Sequence, residues 1–106
     1  MEKITFKQLQ NAGYKEFDAK QCLSGCQRAF QKKCTTQDGR KFFITFEWFS
    51  YDGMSVPSSV CKFGANSSFV RGENSVNLSF GCSGRTAEDV EAFAEEIFMK
   101  MDMESN

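Results

Sequence analysis

Alternation of apolar and polar side chains is cleanest between residues 75 and 82, where Val76, Leu78, Phe80 and Cys82 take turns with Ser75, Asn77, Ser79 and Gly81. A period of two sends successive side chains to opposite faces of a pleated strand, so this stretch predicts a one-sided β-strand. Gly72, Glu73 and Asn74 form a tight turn just before it, which makes the strand antiparallel. After Gly84 the period changes to 3.6. Val90, Phe93, Ala94, Ile97, Phe98 and Met101 then make one helical stripe, and Glu88, Glu91, Glu95 and Glu96 fall on the water side. Thr86 is the expected N-cap, with Glu88 and Asp89 in the first turn, where the helix dipole favours anions. Phe93→Ala is expected to cost about 3–5 kcal/mol, enough to unfold a domain this small.

In the middle of the chain the alternation is lost because both phases become apolar. Between Lys41 and Tyr51 stand Phe42, Phe43, Phe46, Trp48, Phe49 and Tyr51. One face of this strand must line the core; the other packs on a second layer or meets a partner. With residues 28–36 it forms a β-hairpin, in which a two-residue Asp38-Gly39 loop would face Gln37 with Arg40 and Phe30 with Glu47. A three-residue loop Gln37-Asp38-Gly39, with Gly39 left-handed in a G1 bulge, pairs Thr36 with Arg40, Cys34 with Phe42, Lys32 with Ile44 and Phe30 with Phe46. Phe30, Cys34, Phe42, Ile44, Phe46 and Trp48 then share one face, leaving Phe43, Thr45, Glu47, Phe49 and Tyr51 on the other. A one-residue slip would reverse that assignment.

The remaining elements are shorter. Thr5 with Gln8 is a capping-box pattern opening a helix whose Phe6 and Leu9 share a face, and Gly13 is its stop. Tyr14 and Phe17 follow as further apolar anchors. Residues 18–27 read as a loop or a short irregular strand, broken at Ser24-Gly25. Residues 54–59 form a loop containing Pro57, Val60–Phe63 is a third strand, Asn66–Ser68 is turn-like, and Phe69-Val70 extends that strand or starts another. The predicted architecture is a single α+β domain over residues 1–106: a short N-terminal helix, an antiparallel sheet of three to five strands, and a C-terminal amphipathic helix packed on one sheet face. Its core joins Phe42, Phe46, Trp48, Leu78 and Phe80 to Phe93, Ile97 and Phe98.

A chain of 106 residues supports one such core without metals or disulfides. Twelve Phe set its aromatic bias, and a net charge of −1 gives no overall field for nucleic acid or anionic membrane. Up to Lys62 there are ten Lys or Arg against six Asp or Glu; from Phe63 onward there are three against eight, mostly the acidic face of the last helix. The chain shows no apolar run of about 20 residues and no signal-peptide core at its start, so the expected location is the cytoplasm. In that compartment Cys22, Cys26, Cys34, Cys61 and Cys82 read as free thiols.

Those residues narrow the chemistry. Without His, the commonest general acid–base and the usual partner of a nucleophile are missing, and the glycines build no phosphate loop. The expectation is a non-enzymatic protein that needs no cofactor. Only Cys22 with Cys26 resembles one half of a tetrathiolate zinc site, so no metal site is expected either. Arg28, Lys32, Lys33, Arg40 and Lys41 surround Phe43, Phe49 and Tyr51, a composition compatible with stacking single-stranded nucleic acid. Phe43-Ile44-Thr45-Phe46 echoes the aromatic strand of RNA-recognition motifs, but Arg40 and Phe42 replace that motif's small residues and the βαββαβ order is missing.

The favoured expectation is a protein contact through Phe43, Phe49 and Tyr51, with Arg28, Lys33 and Lys41 around them. It requires the second layer to cover the Trp48 face alone. If the Phe6–Leu9 helix, Tyr14 and Phe17 instead cover the Phe43 face, those aromatics belong to a second core. Self-assembly through the same face is a further alternative.

The order of elements, with "AGYKEF" closing the entry helix, the arm "GRKFFITFEWF" and the final "TAEDVEAFAEEIF", resembles small uncharacterised proteins of phages and prophages. That resemblance implies a compact, cofactor-free inhibitor of a host protein complex, such as a bacterial defence complex, acting in the host cytoplasm. It transfers no functional residues.

Overall fold

The hairpin register sets the whole molecule. In the computed structural model, which describes residues 4–22, 24–53, 55–63 and 76–101, strand β2 (Arg28–Thr35) pairs antiparallel with β3 (Lys41–Trp48). Cys34 stands opposite Phe42, Lys32 opposite Ile44 and Phe30 opposite Phe46. The turn is the three-residue bulge loop expected from the sequence. Gly39 N–H donates to the Thr36 carbonyl at 3.1 Å, Thr36 N–H donates to that of Arg40 at 2.8 Å, and Gly39 has φ +89°.

Further strands add on either side. Lys15–Phe17 is β1, pairing with β2; Ser58–Phe63 is β4, pairing with β3; and Val76–Gly81 is β5, pairing with β4. Among the described residues these five strands form one antiparallel meander in the order β1-β2-β3-β4-β5. Phe69-Val70 and the Gly72–Asn74 turn lie outside the described residues.

Two helices complete the fold. Helix α1 (Phe6–Asn11) opens on the Thr5–Gln8 capping box and gives way to Gly13 at φ +93°. Helix α2 (Ala87–Met99) opens on Thr86, whose hydroxyl accepts from Asp89 N–H while the Asp89 carboxylate accepts from Thr86 N–H. Among the described residues no helix is long and apolar enough to cross a membrane.

Both helices pack on the same sheet face. Under α1, Phe6 lies 5.0 Å from Phe30 and 4.7 Å from Trp48, and just after it Tyr14 lies 5.3 Å from Phe46, ring centre to ring centre. Under α2, Phe98 lies 5.8 Å from Phe42 and 4.9 Å from Phe63. Leu9, Ile44, Cys61, Val90 and Ala94 fill the space between in one continuous core. The N-terminal helix and Tyr14 therefore do not cover the Phe43 face, as one alternative from the sequence had it; of that proposed second layer, Phe17 alone turns to that side. Phe46 and Trp48 pack with Tyr14 and α1, so α2 meets a smaller share of the core than the sequence pattern assigned it.

Two local expectations need correction. Phe93 sits at the edge of the α2 stripe and remains 43% exposed, with its ring edge-on to Phe80 and Arg85 beside it. Glu91, assigned to the water side, is partly buried and pairs with Lys32 at 3.0 Å. The described residues of 18–27 form the expected loop around a 3-10 turn, Ala19–Gln21, capped by Asp18.

Tyr14 Oη and Trp48 Nε1 are buried without a hydrogen-bond partner among the described residues. Burial, and next the charge of Glu91, push the Tyr14 hydroxyl far above its ordinary range. A buried donor left unsatisfied costs about 1–3 kcal/mol. Tyr14→Phe is therefore expected to keep or raise stability by about 1 kcal/mol in urea unfolding; a loss of that size would mean the hydroxyl is bonded in solution.

Candidate functional site

Beyond Trp48 the chain leaves the sheet and cannot return until Pro57, so residues 49–57 must form a connection. Large apolar side chains in a connection normally turn inward. Here, among the described residues, three point outward: Phe49 is 54% exposed, Tyr51 73% and Val56 50%.

The base of this loop is held at several points. Ser50 Oγ and Ser55 Oγ lie 3.0 Å apart, Pro57 is buried, and Gly53, at φ +71°, packs its backbone against the Phe6 ring. Arg28, the first residue of β2, braces it from the side. Its Nε donates to Glu16 at 2.7 Å, one terminal nitrogen donates to the Tyr51 carbonyl at 3.4 Å, and its carbon centre sits 4.4 Å from the Phe6 ring centre. A planar guanidinium can serve a carboxylate, a carbonyl and an aromatic face at once.

The six residues singled out from the sequence thus separate into two groups. Arg28, Phe49 and Tyr51 meet at one end of the sheet. Phe43, Lys33 and Lys41 lie toward the other end, about 20 Å along β3 at a strand's rise per residue. There Phe43 is half-buried, the Lys33 ammonium lies 5.7 Å from its ring centre, and Lys41 donates to Thr35 Oγ1 at 2.7 Å. Val56 belongs with the first group and was missed; the only signal was an apolar residue in a loop between Asp52-Gly53 and Pro57.

Beside the aromatic loop lies a cleft of about 690 Å³ bounded by Glu16, Phe17, Cys22, Cys26, Arg28 and Tyr51, among others. Its floor is a second, smaller core on the face opposite the helices, where Cys22, Cys26 and Ala29 pack with Phe17 and Ala19. Glu47 reaches the same place, since its Cα stands opposite Ala29, and it is only 3% exposed. The two Sγ atoms and a Glu47 carboxylate oxygen all lie within 4.8 Å of one another. Burial, followed by the neighbouring Cys26 and Glu47, raises the proton affinity of the Cys22 thiol well beyond its ordinary range. The sequence places Glu47 on this face, opposite the Trp48 side, as the register shows, but does not reveal its cysteine neighbours. The sequence signal was a single acid inside an otherwise aromatic strand.

The other thiols behave as core. Burial, then Glu91, pushes Cys34 up to about 12, and burial raises Cys61 and Cys82 as well. Such thiols are poor nucleophiles.

Fold and surface together define a two-layer α+β domain with an all-antiparallel meander, both helices on one face and an aromatic loop at one end. Comparison of the chain with protein-family models, curated proteins and solved structures gives no match.

Proposed function

We propose that this protein is a non-catalytic binding module that engages a protein partner through the β3–β4 loop, with Phe49 and Tyr51 as anchors and Val56 and Arg28 at their edges. The observation carrying this reading is the exposure of two aromatic side chains on a loop whose base is fixed by Gly53, Pro57 and Arg28. Preorganised aromatic side chains supply large contact area with little ordering entropy, and such residues dominate interface energetics. A nucleic-acid reading is less well supported. The Lys33 ammonium already lies near the Phe43 ring, and Arg28, which donates to the Tyr51 carbonyl, is engaged by Glu16. The resemblance to phage proteins makes a host complex in the bacterial cytoplasm the first partner to test, with inhibition by occlusion as the mode of action.

The direct experiment is capture from a bacterial lysate by the wild type and by a Phe49→Ser/Tyr51→Ser variant. Both positions are largely solvated, so the double variant is expected to keep its fold. Hot-spot truncations cost about 2 kcal/mol or more each, so affinity for the captured protein should fall at least about thirtyfold. Undiminished capture, or recovery of nucleic acid alone, refutes the reading. If the wild type is a dimer and the variant a monomer, the partner is a second copy of the chain.

A further inference from the structure

We propose that Cys22, Cys26 and Glu47 form a binding site for a borderline-soft divalent cation, zinc by the chemistry of the ligands, that ties the 18–27 loop to the sheet. Two thiolates and a carboxylate are a zinc ligand set, and three protein ligands leave a fourth position for water. Calcium and magnesium would require a cage of oxygens, and an iron–sulfur cluster four thiolates.

The geometry is close to what the ion needs. Zn–S bonds of about 2.3 Å and Zn–O bonds of about 2.0–2.2 Å in a tetrahedron put neighbouring ligand atoms roughly 3.5–3.8 Å apart. The three atoms here already lie within 4.8 Å of one another, so closing on an ion takes a contraction of about 1 Å. Glu47 is fixed by β3, which is paired on both sides. The two cysteines come from a tight loop: Cys22 ends the 3-10 turn, and Gly25, at φ +78°, turns the chain back so that Cys26 faces the same point. Cys22, Gly25 and Cys26 also border the 690 Å³ cleft, which gives the ion an entry path and room for a bound water.

The alternative is a small core in which the thiols merely hydrogen-bond the carboxylate. That arrangement leaves a carboxylate at 3% exposure served by weak S–H donors, and among the described residues none of the ion pairs includes Glu47. Burial of a carboxylate charge is costly unless the group stays neutral or meets a cation, and a bound divalent ion would supply that cation. On binding, each thiol releases its proton to solvent as its S–Zn bond forms, leaving a net charge of −1 shared by the ion and its three protein ligands.

The test uses the full chain, purified without chelator under a phosphine reductant. Elemental analysis is expected to find about one zinc per chain. After stripping, titration with Co²⁺ should saturate at one equivalent, with thiolate-to-cobalt charge-transfer absorption and the strong visible bands of four-coordinate cobalt, both bleached by Zn²⁺. Cys22→Ser should remove the charge-transfer band attributable to that ligand, and Glu47→Gln should weaken Co²⁺ binding by at least about tenfold. The wild-type titration decides even if Cys22→Ser fails to fold. Folded, reduced wild type that binds neither ion tighter than about 10 μM (about −7 kcal/mol) overturns the proposal. So does an unchanged cobalt spectrum in Cys22→Ser, or a Cys22–Cys26 disulfide in protein taken from a reducing cytoplasm.

Discussion

Phe98→Ala is expected to destabilise the domain by about 3–5 kcal/mol, whereas Phe93→Ala loses only about 1 kcal/mol. The two residues share a helix and a sequence pattern, yet their surroundings differ. Phe98 is fully buried, with its ring against Phe42 and Phe63 and the Arg40 guanidinium 4.4 Å from its centre. Removing it opens a cavity between α2 and the two strands, and their backbones are too constrained by the sheet to close it. Phe93 is 43% exposed and touches Phe80 edge-on, so truncation uncovers surface and leaves no void. Urea unfolding of both variants measures the difference. A domain of this size has about 5–15 kcal/mol in total, so Phe98→Ala takes up a large part of the margin. Equal losses would place the helix in a different rotation about its axis.

That contrast shows where periodicity stops being informative. A 3.6-residue repeat tells which side of α2 faces inward, but the width of the contact depends on the curvature of the sheet, which no local pattern encodes. Phe93 and Phe98 therefore look alike in sequence. The hairpin register was legible because only the three-residue loop gathers Phe30, Cys34, Phe42, Ile44, Phe46 and Trp48 on one face, and Gly39 permits that loop. The side chosen by α1 was not legible. Phe6 and Leu9 could have served either face, and the outcome rests on Phe6 fitting against Phe30 and Trp48. β1 is only three residues long, Lys15–Phe17, too short for alternation to register. The Cys22, Cys26 and Glu47 cluster was half visible. The cysteine spacing was plain, but the third ligand comes from β3, more than twenty positions away, and joins them only through strand pairing.

Gly53→Ala is expected to lower stability by about 2–5 kcal/mol and to impair partner capture as well, although it alters neither Phe49 nor Tyr51. Two effects combine. At φ +71° an L-residue is strained by about 1–2 kcal/mol. In addition, an added Cβ would lie 2.5 Å from Phe6 Cζ and 2.8 Å from Cε2, inside van der Waals contact. An isolated ring would swing aside at little cost. This one is held by Phe30 at 5.0 Å, by Trp48 at 4.7 Å and by the Arg28 guanidinium at 4.4 Å, so relief must come from the loop or from α1. Overpacking of this kind costs about 1–3 kcal/mol. A double-mutant cycle separates the two terms. In a Phe6→Ala background the clash disappears and the strain remains, so the destabilisation by Gly53→Ala should shrink to about 1–2 kcal/mol, a coupling of about 1–3 kcal/mol. Additive effects would mean that α1 and the aromatic loop move independently. The coupled result would mean that the entry helix, through one ring, sets where the exposed Phe49 and Tyr51 are presented.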